Sequence, residues 1–296
     1  MRRSVLIGFV FAALGLTAFW TLTEPDPLAA DTFAGLVPDP VHGEQVFTAA
    51  GCASCHMAAN ATGAAQLVLS GGQAFPSAFG TFIAPNISSD PTTGIGGWSV
   101  QDLGNALQRG IGRGGEHLYP ALPYAAYQHM TPQDVTDLYA YLQTLPSDAT
   151  PSQPHDLTFP FTLRRAVGLW KKLFLTPDYT LAGDLSSEEG RGRYIAEALA
   201  HCGECHTPRN ALGGLDRSRW LAGAPNLSGS GTIPNITPAK LGWSADEITE
   251  YLTTGFTPDY DSVGGHMAHV VENMSRLPET DRRAVAAYLK RVPAAE

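Results

Sequence analysis

Two stretches of this sequence decide its fold: Gly51-Cys52-Ala53-Ser54-Cys55-His56 and His201-Cys202-Gly203-Glu204-Cys205-His206. Both contain the pattern C-x-x-C-H, and together they hold all four cysteines of the 296-residue chain. Two thiols at this spacing can each form a thioether to a vinyl group of one haem, and the adjacent histidine then reaches the iron from the proximal side. The spacing therefore predicts two covalently bound haems c. The residues predicted to attach them and to bind iron on the proximal side are Cys52, Cys55, His56, Cys202, Cys205 and His206.

Other cysteine chemistry fits the spacing less well. Zinc ribbons usually pair two C-x-x-C units roughly 15–20 residues apart, whereas the first cysteines of these motifs are 150 residues apart (202 − 52). A thioredoxin-like pair would lie beside a β-α-β pattern, which the sequence does not contain. Disulfides are common in exported proteins, but they would not account for a histidine directly after each second cysteine.

A similar series of residues follows each motif. The first is followed by Pro85-Asn86-Ile87-Ser88 and Gly97-Trp98-Ser99, and the second by Pro234-Asn235-Ile236-Thr237 and Gly242-Trp243-Ser244. The step from histidine to asparagine is 30 residues in the first copy (86 − 56) and 29 in the second (235 − 206). Internal repetition of this kind predicts similar structural units in tandem. The predicted boundaries are 36–150 for domain 1, 151–184 for an ordered linker and 185–296 for domain 2.

Each copy is expected to be helical. Ser99 with Asp102, and Ser244 with Glu247, are typical of helix N-termini that have an acid three residues after the cap. Thr131-Pro132 opens another helix, because proline suits the first turn.

The first helix of each copy contains a glycine, Gly43 or Gly192. This glycine should let an aromatic side chain of the last helix pack close. The expected fold class is all-α, with two tandem domains.

The N-terminus indicates export. Arg2 and Arg3 precede an uncharged run from Ser4 to Thr23, and about 20 apolar residues can cross a bilayer as a helix. We therefore expect a transmembrane anchor over residues 1–26, with a removed signal peptide as the alternative. Either would place the remaining chain in the periplasm, and the anchor would hold it at the cytoplasmic membrane.

The sixth ligand of each iron is predicted separately. Met267 lies in a glycine-bounded loop before the last helix of the second copy, 24 residues after the tryptophan of Gly-Trp-Ser. The same step in the first copy reaches Leu122, which cannot bind iron. Met130 is the preferred ligand there, and His129 and His117 remain open because imidazole also binds iron. Residues that could contact a haem edge or its propionates are Asn86, Asn235, Trp98, Trp243 and Arg209.

Several motifs resemble those of a known family, the membrane-anchored cytochrome c subunits of bacterial periplasmic alcohol, aldehyde and sugar dehydrogenases. The resemblance covers most of residues 40–296, and best-known members hold three haems rather than two. It implies a helical cytochrome c fold in each domain. Many members have methionine at the position of Leu122, while related two-haem cytochromes often have one at the position of Met130. The matching motifs are Gly51 to His56, Ala84-Pro85-Asn86-Ile87-Ser88, Gly94-Ile95-Gly96-Gly97-Trp98-Ser99, Tyr119-Pro120-Ala121-Leu122-Pro123-Tyr124 and His201 to Asn210.

The expected function is electron transfer through two haems. The resemblance implies a dehydrogenase as donor, and ubiquinone, another cytochrome or a terminal oxidase as acceptor in the respiratory chain. No catalytic activity of the chain itself is expected, because the cofactor carries the redox step. The alternative is a catalytic two-haem enzyme, such as a peroxidase or thiosulfate dehydrogenase, with an open distal position. A net charge of −9 argues against a nucleic-acid partner.

Overall fold

A computed structural model describes residues 2–226 and 231–295 of the chain. Its helices are α1 (Arg2–Leu22), α2 (Pro40–Ala49), α3 (Cys52–His56), α4 (Val100–Gly104), α5 (Tyr124–Tyr127), α6 (Pro132–Leu142), α7 (Val167–Phe174), α8 (Ser187–Arg193), α9 (Gly203–His206), α10 (Ala245–Thr254), α11 (Met267–Ser275) and α12 (Glu279–Arg291). Helix α4 continues as a π-helical turn over Asn105–Arg109, and α8 continues as another over Tyr194–Leu199.

The repeat in the sequence is visible as two equivalent helix crossings. Helix α2 packs against α6 in the first half, and α8 packs against α12 in the second. A Cβ atom on Gly43 would come within 2.0 Å of the Asp137 carbonyl oxygen and 2.9 Å of Tyr141 Cβ. A Cβ atom on Gly192 would come within 1.8 Å of the Ala284 carbonyl oxygen and 2.8 Å of Tyr288 Cβ. The predicted close approach of an aromatic to each glycine is therefore confirmed.

The predicted helix starts are also confirmed. Ser99 and Asp102 form a capping box at the start of α4, and Ser244 and Glu247 form another at the start of α10. In each box the serine side chain accepts a hydrogen bond from the backbone of the acid, and the acid accepts one from the serine backbone. Thr131 caps α6 directly before its first residue, Pro132.

The all-α fold class was wrong because the described structure also contains short strands. Strands β1 (Ala74–Ser77), β2 (Gly80–Ile83) and β3 (Asp156–Leu157) form an antiparallel sheet in the order β1-β2-β3, with Ala74 opposite Ile83 and Gly80 opposite Leu157. Strands β4 (Ala224–Pro225) and β5 (Thr232–Ile233) form a two-stranded ladder. Segments of two to four residues are too short to show the alternating pattern by which strands are identified in a sequence.

The prediction of a transmembrane anchor at residues 1–26 was also wrong. A helix needs about 20 predominantly apolar residues to cross the hydrocarbon core of a bilayer. Within residues 2–226 and 231–295, no helix combines the required length and apolarity.

The segment between the two copies contacts both of them. Lys171 of α7 donates to the carbonyl oxygens of Arg109 and Gly110 in the first half, at 2.6 Å each. The neighbouring Trp170 donates through its indole N–H to the Leu212 carbonyl oxygen of the second half at 2.9 Å. Burial of the Lys171 ammonium lowers its pKa to about 7. These contacts order the linker against both halves.

Two glycines of α8 provide a matched test of the helix crossing. Gly192→Ala should lower the free energy of unfolding by about 3 kcal/mol, because the added methyl group collides with backbone of α12. Gly190→Ala lies on the same helix with nothing within 4 Å of the added Cβ, and it should raise stability by up to about 1 kcal/mol through helix propensity. Denaturant unfolding of the haem-loaded variants measures both. Equal effects would contradict the close packing at Gly192.

Candidate haem-binding sites

Each C-x-x-C-H motif forms a short helix that follows a left-handed residue. In the first copy this residue is Gly51, at φ 64°, directly before α3. The equivalent residue of the second copy is His201, at φ 43°, directly before Cys202. One left-handed residue ends the preceding helical segment, and the motif follows it directly in the chain.

The four cysteines are unpaired and held as neutral thiols. None forms a disulfide. Burial raises the pKa of Cys52 and that of Cys202 to about 12. Among the described residues, the group of His, Cys, Asp or Glu side chains that could hold a metal ion is His42, Asp134 and Asp137, and it contains no cysteine. The arrangement therefore fits thioether attachment of a haem better than a metal-thiolate centre.

Both predicted proximal histidines form a hydrogen bond through one ring nitrogen, which leaves the other available for iron. His56 Nδ1 donates to the Pro85 carbonyl oxygen at 2.9 Å, and His206 Nδ1 donates to the Pro234 carbonyl oxygen at 2.8 Å. This bond fixes the tautomer in which Nε2 carries the free lone pair, as in other metal-ligating histidines. Burial lowers the pKa of both rings, which favours the neutral imidazole that binds a metal. The residues present fit two haems c.

The loops that supply these carbonyl groups are built in the same way in both halves. The Gly71 N–H donates to the His56 carbonyl oxygen and the Gly223 N–H to the His206 carbonyl oxygen, at 2.7 Å each. Gly71 has φ +74°, and a Cβ there would lie 2.5 Å from the Ala84 carbonyl oxygen. Only glycine fits such a close approach in this conformation.

Two asparagines that the sequence offered for a haem edge have other partners. Asn86 Nδ2 donates to the carbonyl oxygens of Asp148 and Thr150, at 2.8 Å each. Asn235 Nδ2 donates to the Ala295 carbonyl oxygen at 2.7 Å. Each side chain thus fastens the Pro-Asn-Ile loop to the segment that follows the last helix of its copy.

The candidates for the distal ligand of the first haem differ in what they contact. His117 uses both ring nitrogens, since Nε2 donates to the Thr23 carbonyl oxygen at 2.8 Å and Nδ1 lies 3.1 Å from Lys171 Nζ. His129 stacks on Tyr179 with ring centroids 4.3 Å apart. Met130 is 3% exposed and belongs to the hydrophobic core. These contacts favour Met130, whose binding to iron stays a prediction.

The second copy offers Met267 as the first residue of α11. Its side chain is partly buried against the hydrophobic core, and the preceding Gly265 has φ +58°. Arg209, a candidate for a propionate contact, instead pairs with Glu204 of the motif and donates to the Gly213 carbonyl oxygen at 2.8 Å. The role of Met267 as distal ligand also stays a prediction.

The two attachment motifs lie against each other. Tyr127 donates through its hydroxyl to the Ala50 carbonyl oxygen at 3.0 Å, and its ring lies 5.7 Å from the ring of His201. The surrounding protein and the neighbouring Cys205 thiol raise the pKa of Cys55 to about 11. Residues directly before each motif are therefore in contact through one tyrosine.

Helical repeats that each present an unpaired cysteine pair and an oriented proximal imidazole define a two-haem c-type cytochrome. A family model described as cytochrome c matches residues 41–146. A diheme cytochrome c-type of Cereibacter sphaeroides is 57% identical over 296 residues, which is 100% of both chains. The chain belongs to the cytochrome c family, and it is an electron carrier with two covalently bound haems c.

Larger relatives contain a similar region. The fructose dehydrogenase cytochrome subunit of Gluconobacter japonicus is 39% identical over 282 residues, which cover 92% of this chain and 55% of that protein. The gluconate 2-dehydrogenase cytochrome c subunit of Pantoea cypripedii is 32% identical over 280 residues, 88% of this chain and 62% of that protein. The chain therefore spans little more than half the length of these two relatives.

Several residues of the sites were not predicted from the sequence. The carbonyl groups of Pro85 and Pro234 orient the proximal rings, and the only signal was the repeated distance from histidine to the Pro-Asn-Ile loop. Tyr127 and His201 connect the two motifs. The internal repeat of the sequence does not indicate these two residues, because each occurs in only one copy.

Loss of one cysteine pair should leave one haem. The double variant Cys52→Ser, Cys55→Ser removes both thioethers of the first site, while the second site keeps Cys202 and Cys205. Mass spectrometry of the denatured chain should find one haem instead of two, and the variant Cys202→Ser, Cys205→Ser is the matched control with the same expected mass. Two haems on either variant would contradict the assignment.

Two equally buried methionines test the distal ligand of the first haem. Met130 and Met274 are each 3% exposed, and leucine conserves most of their volume. Met130→Leu should remove the sulfur-to-iron absorption band of one ferric haem and lower the midpoint potential of that haem, since a thioether ligand favours ferrous iron. Met274→Leu should leave both unchanged. An intact band in Met130→Leu would exclude Met130.

Proposed function

We propose that this chain accepts electrons from a dehydrogenase subunit and passes them through its two haems to ubiquinone, another cytochrome or a terminal oxidase. The observation that carries the proposal is the contact between the two attachment motifs through Tyr127 and His201. Because the motifs adjoin, an electron received in one half has a short path to the other.

In this function the chain attaches the haems and orients the residues that bind iron. The haem iron supplies the one-electron redox chemistry. Cysteine thiols would keep each haem attached, and the Pro85 and Pro234 carbonyl groups hold His56 and His206 in the tautomer that can bind iron. Burial of Met130 excludes water from the predicted distal side of the first haem.

The dehydrogenase donor is supported by the names of the relatives. Cytochrome subunits of fructose dehydrogenase and gluconate 2-dehydrogenase, and those of quinone-type alcohol dehydrogenases, share 32–39% identity with this chain. Their longer chains mean that the partner and the acceptor of this shorter chain are inferred by analogy.

We also propose that the haem domains function in the periplasm. Arg2 and Arg3 followed by an uncharged segment support export of the rest of the chain. Fractionation of cells that produce the chain should place the haem-stained protein in the periplasmic fraction or with the envelope. Haem-stained protein in the cytoplasmic fraction alone would exclude the proposal.

A catalytic role is not favoured by the relatives of this chain. A peroxidase needs an exchangeable position on one iron. The relatives are instead a diheme cytochrome c-type and the cytochrome subunits of fructose and gluconate 2-dehydrogenases.

Exogenous ligands distinguish a carrier from an enzyme. If both irons have six protein-and-porphyrin ligands, millimolar cyanide or peroxide should leave the visible spectrum nearly unchanged within the time of mixing, and peroxide should not be turned over. Met130→Leu, with an open position on one iron, should respond rapidly and is the positive control. A rapid response of the unaltered protein would favour the enzyme.

Isolation of the native complex tests the donor. A dehydrogenase subunit should co-purify with this chain in equal amount from its own host, and adding the substrate of that dehydrogenase should reduce both haems. Purification of the chain alone, with no reduction by any co-expressed dehydrogenase, would contradict the proposal.

A further inference from the structure

A tyrosine of the second half reaches into the loop that carries Met130. Tyr194 lies in the π-helical turn after α8. Its hydroxyl donates to Asp134 Oδ2 and accepts a hydrogen bond from the Thr131 N–H at 3.1 Å. The tyrosine belongs to one copy of the repeat, while both of its partners belong to the other.

The peptide unit between Met130 and Thr131 is held on both sides. Gln108 Nε2 donates to the Met130 carbonyl oxygen at 2.7 Å, and the Thr131 N–H donates to Tyr194. These are the two polar groups of one peptide unit, and each is bound by a side chain from a different half. Gln108 is 8% exposed, so little water is available to replace its bond.

Asp134 accepts a hydrogen bond from Tyr194 because of a difference between the two copies. In α6, Asp134 stands three residues before Asp137, whose carbonyl group faces Gly43. In α12, Asp281 stands three residues before Ala284, whose carbonyl group faces Gly192, so Asp281 is the counterpart of Asp134. Asp281 accepts two hydrogen bonds from Arg191, at 2.9 and 2.7 Å. In the first copy the residue equivalent to Arg191 is His42, whose Nδ1 bonds to Asp137 Oδ2 at 2.9 Å and lies 3.7 Å from Asp134 Oδ1. The other oxygen, Asp134 Oδ2, accepts the hydrogen bond from Tyr194.

We propose that Tyr194 is a positioning residue through which the second half of the chain holds Met130 on the iron of the first haem. The inference rests on the proposed role of Met130 as distal ligand. Removal of the hydroxyl takes a donor from the buried Asp134 carboxylate, which is more costly than the loss of an exposed hydrogen bond. It also leaves the exposed Thr131 N–H without the Tyr194 acceptor. The peptide unit then moves more freely, and the methionine sulfur leaves the iron more often.

The test is the rate at which imidazole replaces the distal ligand in holoprotein, measured by stopped flow. Tyr194→Phe should raise this rate at one haem about tenfold, an effect of the size of one buried hydrogen bond, and should lower the midpoint potential of that haem. The control is Tyr119→Phe, which removes a hydroxyl that donates to the Phe161 carbonyl oxygen at 2.8 Å. It should leave the rate and both potentials unchanged.

The outcomes separate this inference from the ligand assignment. Suppose that Met130→Leu loses the sulfur-to-iron band of one haem, while in Tyr194→Phe imidazole replaces the distal ligand at the rate of the unaltered protein. Met130 then remains the ligand, and the role of Tyr194 is excluded. If Met130→Leu keeps the band, the ligand assignment fails and the inference falls with it. Equal acceleration in Tyr119→Phe would show a general loosening of the fold and would also overturn the role of Tyr194.

A measurement on the unaltered protein covers the case in which Tyr194→Phe does not fold. The Thr131 amide should be protected from hydrogen exchange in the holoprotein, because its only hydrogen-bond acceptor in the described structure is the Tyr194 hydroxyl. Exchange of this amide at the rate of an unstructured peptide would mean that the bond does not form, and the proposal would be overturned.

Discussion

The hydrogen bond from the histidine of each C-x-x-C-H motif to a proline carbonyl group is the constraint on which the rest of the structure depends. It joins the C-x-x-C-H helix to the Pro-Asn-Ile loop, at 2.9 Å in the first half and 2.8 Å in the second. The asparagine of that loop is in turn bound to the segment after the last helix of its copy. One ring nitrogen therefore fixes the distance between the start, middle and end of each repeat, which is why the step from histidine to asparagine changes by only one residue.

The chemistry of each motif could be predicted from the sequence because it is local. Cysteine spacing and the adjacent histidine specify attachment within five residues, and capping boxes such as Ser99 with Asp102 span four. The hairpin of β1 and β2 escaped detection because four-residue strands, one of them containing Pro76, show no alternating pattern. At the N-terminus, counting uncharged residues predicted a membrane-spanning helix that the described structure does not contain.

Contacts between the halves could not be predicted from the sequence, for a different reason. A repeat reveals what its copies share, and the contacts between copies are made by residues that differ. Tyr127 meets His201, where the first copy has Gly51, and Tyr194 meets Asp134, whose counterpart Asp281 pairs with an arginine. The two residues of each pair lie 60 (194 − 134) or 74 (201 − 127) residues apart and leave no periodic signal.

This asymmetry makes the two haem sites physically unequal. The loop before α6 is fixed by Gln108 from its own half and by Tyr194 from the other. The loop before α11 ends with Gly264, Gly265 and His266, and a Cβ atom added to either glycine would have no heavy atom within 4 Å. Side chains from both halves therefore bond to the loop that carries Met130, the predicted distal ligand of the first haem. Since ligand identity and the hydrogen bonds around a ligand both tune a haem potential, a chain built from two copies of one fold can hold two haems of different potential.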